Sequence, residues 1–233
     1  MIVTRDDAFK DFILKRMAER ELSDRSGVHS TDLVYCLNKQ ALRKVRKLAP
    51  TEDEQLRYAK GYSTQRWLTG TFEPDTAIEL DGIVVTPDTL VALGVGDKLI
   101  PWELKSTDQS SGKPVEENIA WIKQIMAQCK VTNSLTAKLS RLENMGDWAW
   151  VFPRGATKEE KKANKLNSKH PTLSAWNIEF TQEEIDGNWE WLKRRREDFL
   201  TVREGFLLPR AAALATGQEW ECEYCPFNGV DCK

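Results

Sequence analysis

The chain has 233 residues, of which 40% are hydrophobic and 30% charged, and this composition excludes a chain that is disordered throughout. Its formal net charge of −2 excludes nucleic-acid binding driven by overall charge, so any such binding requires local basic clusters. The first twelve residues lack the apolar run of a signal peptide, and no later stretch is long enough to span a bilayer. A cytoplasmic location is therefore the default expectation, and the five cysteines are expected in metal, cluster or core roles before structural disulfides.

The N-terminal quarter of the chain reads as helical. Residues 5–20 predict an amphipathic helix whose apolar stripe contains Phe9, Phe12, Ile13 and Met17. Residues 30–49 predict one helix with Ser30 or Thr31 as N-cap, ended by Pro50. Residues 52–69 predict a further helix.

The rest of the chain alternates between strands and helices. Residues 77–107 are rich in β-branched side chains and predict three successive strands, and residues 115–132 predict a helix. Residues 147–152 and 174–180 alternate as a strand pair around a polar, lysine-rich segment that we expect to be mobile. Thr181 and Glu184 form a capping box that opens a long helix. The absence of repeats and linkers predicts a single α/β domain over residues 1–233, with a core at about 75–200 and a cysteine-bound C-terminal flap.

A lysine follows a glutamate by two residues in the strand "PWELKST". Strand side chains alternate between faces, so Glu103 and Lys105 share one face. Asp88 closes an apolar run upstream and reaches Glu103 if the two strands pair as a hairpin. Two carboxylates are the oxygen ligands that Mg²⁺ or Mn²⁺ prefers, and the lysine then offsets charge on a phosphate. The spacing alone leaves a solvated strand face as the alternative.

The helix that follows carries two different faces. Ile122, Ile125, Met126 and Cys129 recur at helical spacing, which predicts a buried stripe and makes Cys129 a core residue. Trp121, Gln124 and Gln128 share another face. A glutamine on this face either orients water or phosphate beside the carboxylates or is an ordinary surface residue, and the spacing does not separate the two.

Three of the remaining cysteines lie close together at the C-terminus. Cys222, Cys225 and Cys232 supply three thiols, whereas a tetrahedral metal or a cubane cluster generally needs four ligands. Cys36 is the candidate for the fourth, and binding there would join the first helices to the last segment. The alternative is that Cys36 belongs to the core and the tail binds zinc with another ligand.

Taken in order, these motifs resemble the Cas4 family over residues 27–232. That family belongs to the RecB-like branch of the PD-(D/E)XK nucleases and carries an iron–sulfur cluster. The resemblance implies a central mixed sheet flanked by helices, with cluster-binding parts at about 30–48 and 218–233. It implies a 4Fe–4S cluster on Cys36, Cys222, Cys225 and Cys232, a metal on Asp88, Glu103 and the Leu104 carbonyl, a catalytic Lys105, and Gln124 as the helical motif glutamine.

Two positions depart from the family pattern. The family has a Gly-x-x-x-His helix ahead of the sheet, and "GYSTQ" places Gln65 where that metal-binding histidine stands. An amide oxygen can ligate a hard cation but is a weaker, neutral donor. The family's Gln-x-x-x-Tyr motif has Gln128 here in place of the tyrosine, and His29 is more consistent with a turn residue than with a substitute ligand.

The function implied by the resemblance is Mg²⁺- or Mn²⁺-dependent hydrolysis of DNA, as an exonuclease acting on DNA ends or single strands in a bacterial, archaeal or virus-infected cell. Implied partners are recombination, replication or CRISPR adaptation complexes. The alternative is a DNA-binding or complex-assembly protein with weak or no cleavage. Basic stretches at 43–47, 158–169 and 193–196 are candidates for tracking a DNA backbone or are solvated surfaces, and Trp67 and Trp121 are the candidates for base stacking.

Overall fold

The computed structural model describes residues 4–21, 26–46, 48, 50–70, 77–92, 95–96, 98–107, 114–144, 155–167, 171–215 and 218–232. Its helices are α1 Asp7–Glu21, α2 Ser30–Val34, α3 Leu37–Arg46, α4 Glu52–Thr69, α5 Ile119–Thr132, α6 Lys158–Asn167, α7 Gln182–Arg203 and α8 Arg210–Ala213. Its strands are β1 Ile78–Leu80, β2 Ile83–Val85, β3 Thr89–Val91, β4 Ile100–Thr107, β5 Thr136–Glu143 and β6 Thr172–Glu179. Short 3₁₀ turns cover Val115–Glu117 and Glu219–Cys222.

In the described part of the chain, the central sheet has the strand order β3-β4-β5-β6. Strands β4 and β5 are parallel, while β3 and β6 pair with them antiparallel, so the sheet is mixed. Strands β1 and β2 form a separate hairpin, in which Asp81 and Gly82 both adopt positive φ, as the tight two-residue turn requires. The predicted α/β fold with a mixed sheet and flanking helices is confirmed.

One face of the central sheet is covered by α5 and α7. Their apolar side chains pack against β5 and β6 in a core that contains Ile125, Cys129, Leu139 and Ile185. Cys129 is 1% exposed, as the helical stripe predicted, and burial raises its pKa to about 12. The thiol therefore remains neutral and serves as an apolar core group.

A second core joins the N-terminal helices to the long helix α7. It contains Leu33 and Leu37 from α2 and α3, Ile83 from the hairpin, and Phe199 from α7. The capping box of Thr181 and Glu184 that starts α7 is present as predicted. This core fixes α3 next to α7 and so determines where Cys36, just before α3, can lie.

The predicted single helix over residues 30–49 is wrong. The chain breaks between α2 and α3 at Tyr35 and Cys36, and the break is stabilised from α7. The buried Arg195 guanidinium donates to the carbonyls of Leu33 at 2.5 Å and Tyr35 at 2.6 Å, and to that of Ala213 at 3.1 Å. These bonds satisfy carbonyls that would otherwise need a continuing helix.

The basic stretch 193–196 is therefore not a uniform DNA-tracking surface. Burial lowers the pKa of Arg195 to about 10, so that the group is still a cation at neutral pH, but it is occupied inside the fold. Arg196 donates to the Gly82 carbonyl of the β1–β2 turn at 3.0 Å. Arg195 binds carbonyls at the α2–α3 break and Arg196 binds a carbonyl of the β1–β2 turn, because α7 packs against both places.

The structure bears on three further expectations about residues 77–180. Residues 77–107 form four strands instead of three, because the β1–β2 turn divides the first run. Among the described strands β6 pairs with β5, a strand at 136–143 that the sequence did not predict, while its expected partner, residues 147–152, lies outside the described residues. The lysine-rich segment contains the helix α6, and its mobility stays a prediction.

The N-terminal helix is present at Asp7–Glu21, but its apolar stripe is not buried. Phe9, Phe12 and Ile13 are 58%, 50% and 42% exposed although α1 contacts α4.

The N-cap of α2 is His29 and not Ser30 or Thr31. The main-chain N–H of His29 donates to the Asp32 carboxylate. Among the described helices, none is both long and apolar enough to cross a membrane.

Candidate active site and cysteine cavity

Asp88 lies immediately before β3 and contacts the neighbouring strand β4. Pairing of Thr89 with Trp102 sets the register of the two strands, which are antiparallel as the hairpin prediction required. In this register the Asp88 carboxylate accepts the main-chain N–H of Leu104 at 2.7 Å. Asp88 is therefore held beside the strand residue that follows Glu103.

Glu103 is buried, 1% exposed, on the face of β4 that α5 covers. Its Oε1 accepts hydrogen bonds from the Lys105 ammonium and from Nε2 of Gln124, the latter at 2.8 Å. Its Oε2 accepts from Nε2 of Gln128 at 2.5 Å. A buried carboxylate requires such partners because desolvation penalises its charge.

Lys105 completes the same network. Its ammonium also donates to Oε1 of Gln124 at 2.9 Å and lies 5.9 Å from the ring centre of Trp121. Burial lowers the pKa of Lys105, but the adjacent Glu103 carboxylate and other neighbouring groups outweigh this effect, so the pKa is raised overall. Lys105 is a fixed cation at neutral pH, suited to bind an anion and not to accept a proton.

Both glutamines of α5 are inside the site, so the surface alternative for them is wrong. Gln124 is 8% exposed and Gln128 is fully buried, because α5 packs its glutamine face against β4. Gln128 was not among the predicted site residues. Its spacing of four residues from Gln124 was the available signal, since such residues share a helix face.

Gln128 also has one unused polar atom. Its Oε1 is buried without a hydrogen-bond partner, while its Nε2 binds Glu103. A buried acceptor without a partner is costly, at roughly 1–3 kcal/mol, and is therefore a sign of a bound water or ion.

Gln65, the residue at the position of the family histidine, approaches the site from α4. Its Nε2 lies 3.5 Å from the main-chain oxygen of Asp88. Gln65, Leu104 and Ser106 border a cavity of about 210 Å³ between α4 and β4. The structure thus brings Gln65 to the main chain of Asp88.

The donor set fits a hard divalent cation better than a thiolate- or imidazole-binding ion. The site offers two carboxylates, from Asp88 and Glu103, together with neutral carbonyl and amide oxygens of the kind that Mg²⁺ and Mn²⁺ accept. Within the described ranges, no three His, Cys, Asp or Glu side chains converge on a point that could hold a metal ion. Any ion held here therefore depends on neutral oxygen donors as well as the two carboxylates.

The four cysteines predicted to act together border one cavity of about 410 Å³. Cys36 lies at its N-terminal wall, and Cys222, Cys225 and Cys232 come from the C-terminal segment. Burial raises the pKa of the Cys36 thiol, and Glu221, Cys225 and Cys232 raise it further. The pKa of Cys232 is also raised, first by burial. The thiols are thus near enough to one another to interact electrostatically.

Two polar residues that the sequence analysis missed hold the walls of this cavity together. Glu221, 2% exposed, accepts the main-chain N–H of Cys36 at 3.0 Å, and its other carboxylate oxygen lies 3.7 Å from the Lys39 ammonium. Asn38, also buried, exchanges hydrogen bonds with the main chain of Leu208 and donates to Sγ of Cys232 at 3.7 Å. No local pattern marks these residues because their partners lie more than 160 positions away in sequence.

The crystal structure of SSO0001 superimposes with a TM-score of 0.54 at 18% identity, covering 96% of this chain and 95% of that chain. At this identity the likeness shows a shared fold alone. The arrangement of the sheet and its flanking helices agrees with the α/β architecture that the sequence predicts.

Two further structures match more weakly. An alkaline exonuclease from Laribacter hongkongensis and the same enzyme in complex with dAMP have TM-scores of 0.44 and 0.43, each at 12% identity, and cover 82% and 84% of this chain and 94% of that chain. Scores below 0.5 do not establish a common fold, so these matches add nothing to the functional assignment. No protein-family model and no curated protein sequence matches the chain.

Proposed function

We propose that the chain is a metal-dependent DNA nuclease that hydrolyses phosphodiester bonds. The observation that carries this proposal is the single contact network that joins Asp88, the main chain of β4, Glu103, Lys105 and Gln124. It combines two acidic groups and a fixed cation at neighbouring strands with an orienting amide from α5. Phosphodiester hydrolysis uses such groups to bind a metal ion and to offset the charge that develops on the phosphate.

Asp88 and Glu103, with the Leu104 carbonyl and the side chain of Gln65, would hold a Mg²⁺ or Mn²⁺ ion. The partnerless Oε1 of Gln128 beside Glu103 supports a bound water or ion at this point. When bound, the ion supplies Lewis-acid polarisation of the phosphate and lowers the pKa of a coordinated water.

The protein's own groups have separate tasks. Lys105, protonated at neutral pH, binds the scissile phosphate and offsets the negative charge that develops on it. Gln124 fixes the direction of the Lys105 ammonium by accepting from it while donating to Glu103. Gln128 holds the second oxygen of Glu103 and offers its own oxygen to a water molecule.

We propose exonuclease action on DNA ends or single strands, in keeping with the resemblance to the Cas4 family. The same resemblance motivates a role beside recombination, replication or CRISPR adaptation complexes. Its support in the structure is the position of Asp88 beside the edge strand β3, next to cavities that border α4.

We further propose that Cys36, Cys222, Cys225 and Cys232 hold a 4Fe–4S cluster. All four border one cavity, which supports a ligand larger than a single ion. The cluster would join the break before α3 to the C-terminal segment and so contribute to folding.

One observation favours the second candidate function, a DNA-binding or assembly protein with weak or no cleavage. Both oxygens of Glu103 already accept hydrogen bonds from Lys105, Gln124 and Gln128, so an ion must compete with these donors. The family histidine and tyrosine are also replaced, by Gln65 and Gln128.

A nuclease assay with Mn²⁺ separates the two candidates. We expect the wild type to degrade single-stranded DNA and both Glu103→Gln and Lys105→Met to lose at least about 100-fold in rate, the scale of losing one electrostatic group. Circular dichroism would verify that each variant is folded. Cleavage by the wild type at the same rate as by both variants would sink the nuclease proposal.

A further inference from the structure

We propose that the groove between α4 and the C-terminal half of β4 binds one strand of DNA and leads it to Asp88 of the proposed nuclease site. We call it the α4 groove, and it consists of two adjoining cavities of about 610 and 210 Å³. This inference rests on the proposed nuclease function, but it assigns a substrate form and a binding site to residues outside the catalytic motifs.

The two cavities form one path along α4. Arg57, Gly61 and Ser106 border both of them, so the cavities meet along the middle of the helix. The smaller cavity ends at Gln65 and Leu104, the residues beside Asp88. The cavities lie on the Leu104 face of β4, opposite the face that carries Glu103 and Lys105, so a strand lying in them is directed toward Asp88.

The larger cavity has the chemistry of a phosphate site. Arg57 and Lys60 on α4 supply cations, and across from them Ser106, Thr107 and Asn144 supply hydroxyl and amide groups. Side chains of these types bind the phosphate and sugar of a nucleic-acid backbone without regard to sequence.

Acidic residues at the start of α4 do not cancel this character. Asp53 pairs with Arg57 at 2.6 Å, but both side chains are about 70% exposed, and such exposed pairs are worth roughly 0.2–1 kcal/mol. A phosphate can therefore displace Asp53 at little cost. The other two acids of this turn form ion pairs with residues outside the groove: Glu52 pairs with Lys10, and Glu54 pairs with Arg43.

The smaller cavity has the chemistry of a base-stacking site. Tyr58 and Tyr62 border it one helical turn apart, and Tyr58 is 39% exposed. Aromatic rings stack on any base whose face is accessible, which is true of single strands. A duplex keeps its base faces stacked on one another, so the groove selects an unpaired strand.

Gly61 keeps the groove open. It lies inside α4, where glycine costs about 1 kcal/mol relative to alanine, and a Cβ built on it would have no neighbour within 4 Å. A side chain at this position would project into the space that both cavities share. Glycine is unfavourable at position 61 for helix stability, and the need to leave space for a ligand explains its presence there.

The test is to fill the groove while leaving the catalytic residues intact. In Gly61→Leu the new side chain occupies the meeting point of the two cavities and replaces a poor helix former with a good one. Gly187→Leu is the matched control, because Gly187 also lies inside a helix, with open space around its Cβ, and borders neither cavity of the groove. Fluorescence anisotropy with labelled oligothymidine, without divalent cations, measures binding in the absence of cleavage.

We expect Gly61→Leu to weaken binding of oligothymidine by about tenfold or more, the scale of one lost base stack, with a melting temperature no lower than that of the wild type. Gly187→Leu should bind as the wild type does. Unchanged affinity in Gly61→Leu, or an equal loss in Gly187→Leu, would overturn the assignment of the groove. So would wild-type affinity for a duplex of the same length that equals the single-strand affinity.

A second measurement tests whether Arg57 and Lys60 contact DNA phosphates. For single strands, the slope of log affinity against log salt falls by about 0.7 per phosphate neutralised, so Arg57→Gln combined with Lys60→Gln should reduce the slope by about 1.4. The matched control is Lys158→Gln with Lys162→Gln on α6, which lies in one of the other basic stretches. A larger slope change in the α6 variant than in the groove variant would contradict the proposal.

The proposed nuclease function and the α4 groove fail in different ways. If the wild type binds oligothymidine through the groove but does not cleave DNA with Mn²⁺, the groove stands and the nuclease proposal falls. If the wild type cleaves DNA while Gly61→Leu binds and cleaves at the wild-type level, the nuclease stands and the groove falls.

Discussion

At the Asp88–Glu103 site the charged groups are paired with groups of the protein itself, whereas in the cysteine cavity burial and neighbouring thiols raise the pKa of Cys36 and of Cys232. The carboxylate network joins Asp88 and β4 to α5, so packing of this helix on the sheet is enough to assemble it. The cysteine cavity joins residues more than 180 positions apart, and its thiols must lose protons before they bind a metal.

The stability of these two regions depends on a bound group to different degrees. The carboxylate site is preorganised, since each charged side chain already has a partner when the protein folds. The cysteine cavity is held by Glu221 and Asn38, but deprotonated thiols so close together need a cationic group between them. We therefore expect a bound cluster to change the stability of the cysteine region more than a bound divalent ion changes that of the carboxylate site.

The largest expected effect comes from removing one of the four proposed cluster ligands. Cys36→Ser should lose the iron bound by anaerobically prepared wild type and should melt at a markedly lower temperature, because cluster binding contributes to folding. Elemental analysis, visible absorption and thermal melting measure this. Cys129→Ala is the control, since Cys129 lies in the other core and should keep the full iron content. Wild type with stoichiometric zinc and no iron would replace the cluster with a zinc site.

The next effect tests whether the carboxylate site is assembled by the protein alone. Glu103→Leu leaves the Lys105 ammonium buried without its carboxylate and should cost about 3–5 kcal/mol in the free energy of unfolding. The double variant Glu103→Leu/Lys105→Met should recover much of this loss, because it removes both charges. Urea unfolding of the wild type, Glu103→Leu, Lys105→Met and the double variant gives the coupling energy. Additive losses in the double variant would mean that the two groups do not stabilise each other.

The smallest effect distinguishes the two glutamines. Gln124 uses both its amide nitrogen and its oxygen, whereas Gln128 uses only its nitrogen. Gln128→Leu removes a costly partnerless oxygen along with one hydrogen bond, so its loss of stability should be about 1 kcal/mol and smaller than that of Gln124→Leu. Urea unfolding without metal measures both. A larger loss for Gln128→Leu would show that its oxygen has a partner in solution.

The contrast between the two regions also explains what could be predicted. Alternation along a strand placed Glu103 and Lys105 on one face, and the hairpin prediction brought Asp88 to the same strand. These relations are short in sequence and follow from the strand period. The same holds for the capping box of α7 and for Cys129 on the buried stripe of α5.

Errors arose where distant contacts outweighed local pattern. The helix predicted over residues 30–49 is broken because Arg195 of α7 satisfies carbonyls at the break. Strand β5 was missed although it lies at the centre of the sheet, and Gln128 was left out of the site although its helix spacing was visible. Whether the basic residues of 193–196 face solvent could not be read from their charge, because Arg195 is buried by α7 packing.

The types of group at the carboxylate site and their order along the chain follow from the sequence alone. So does the strand face that carries Glu103 and Lys105, because a period of two residues is a local property. Only the tertiary structure decided that both glutamines point inward, that Asn38 and Glu221 join the two walls of the cysteine cavity, and that α4 and β4 enclose a groove. Those features depend on how separate elements pack, and packing brings together residues that no local spacing relates.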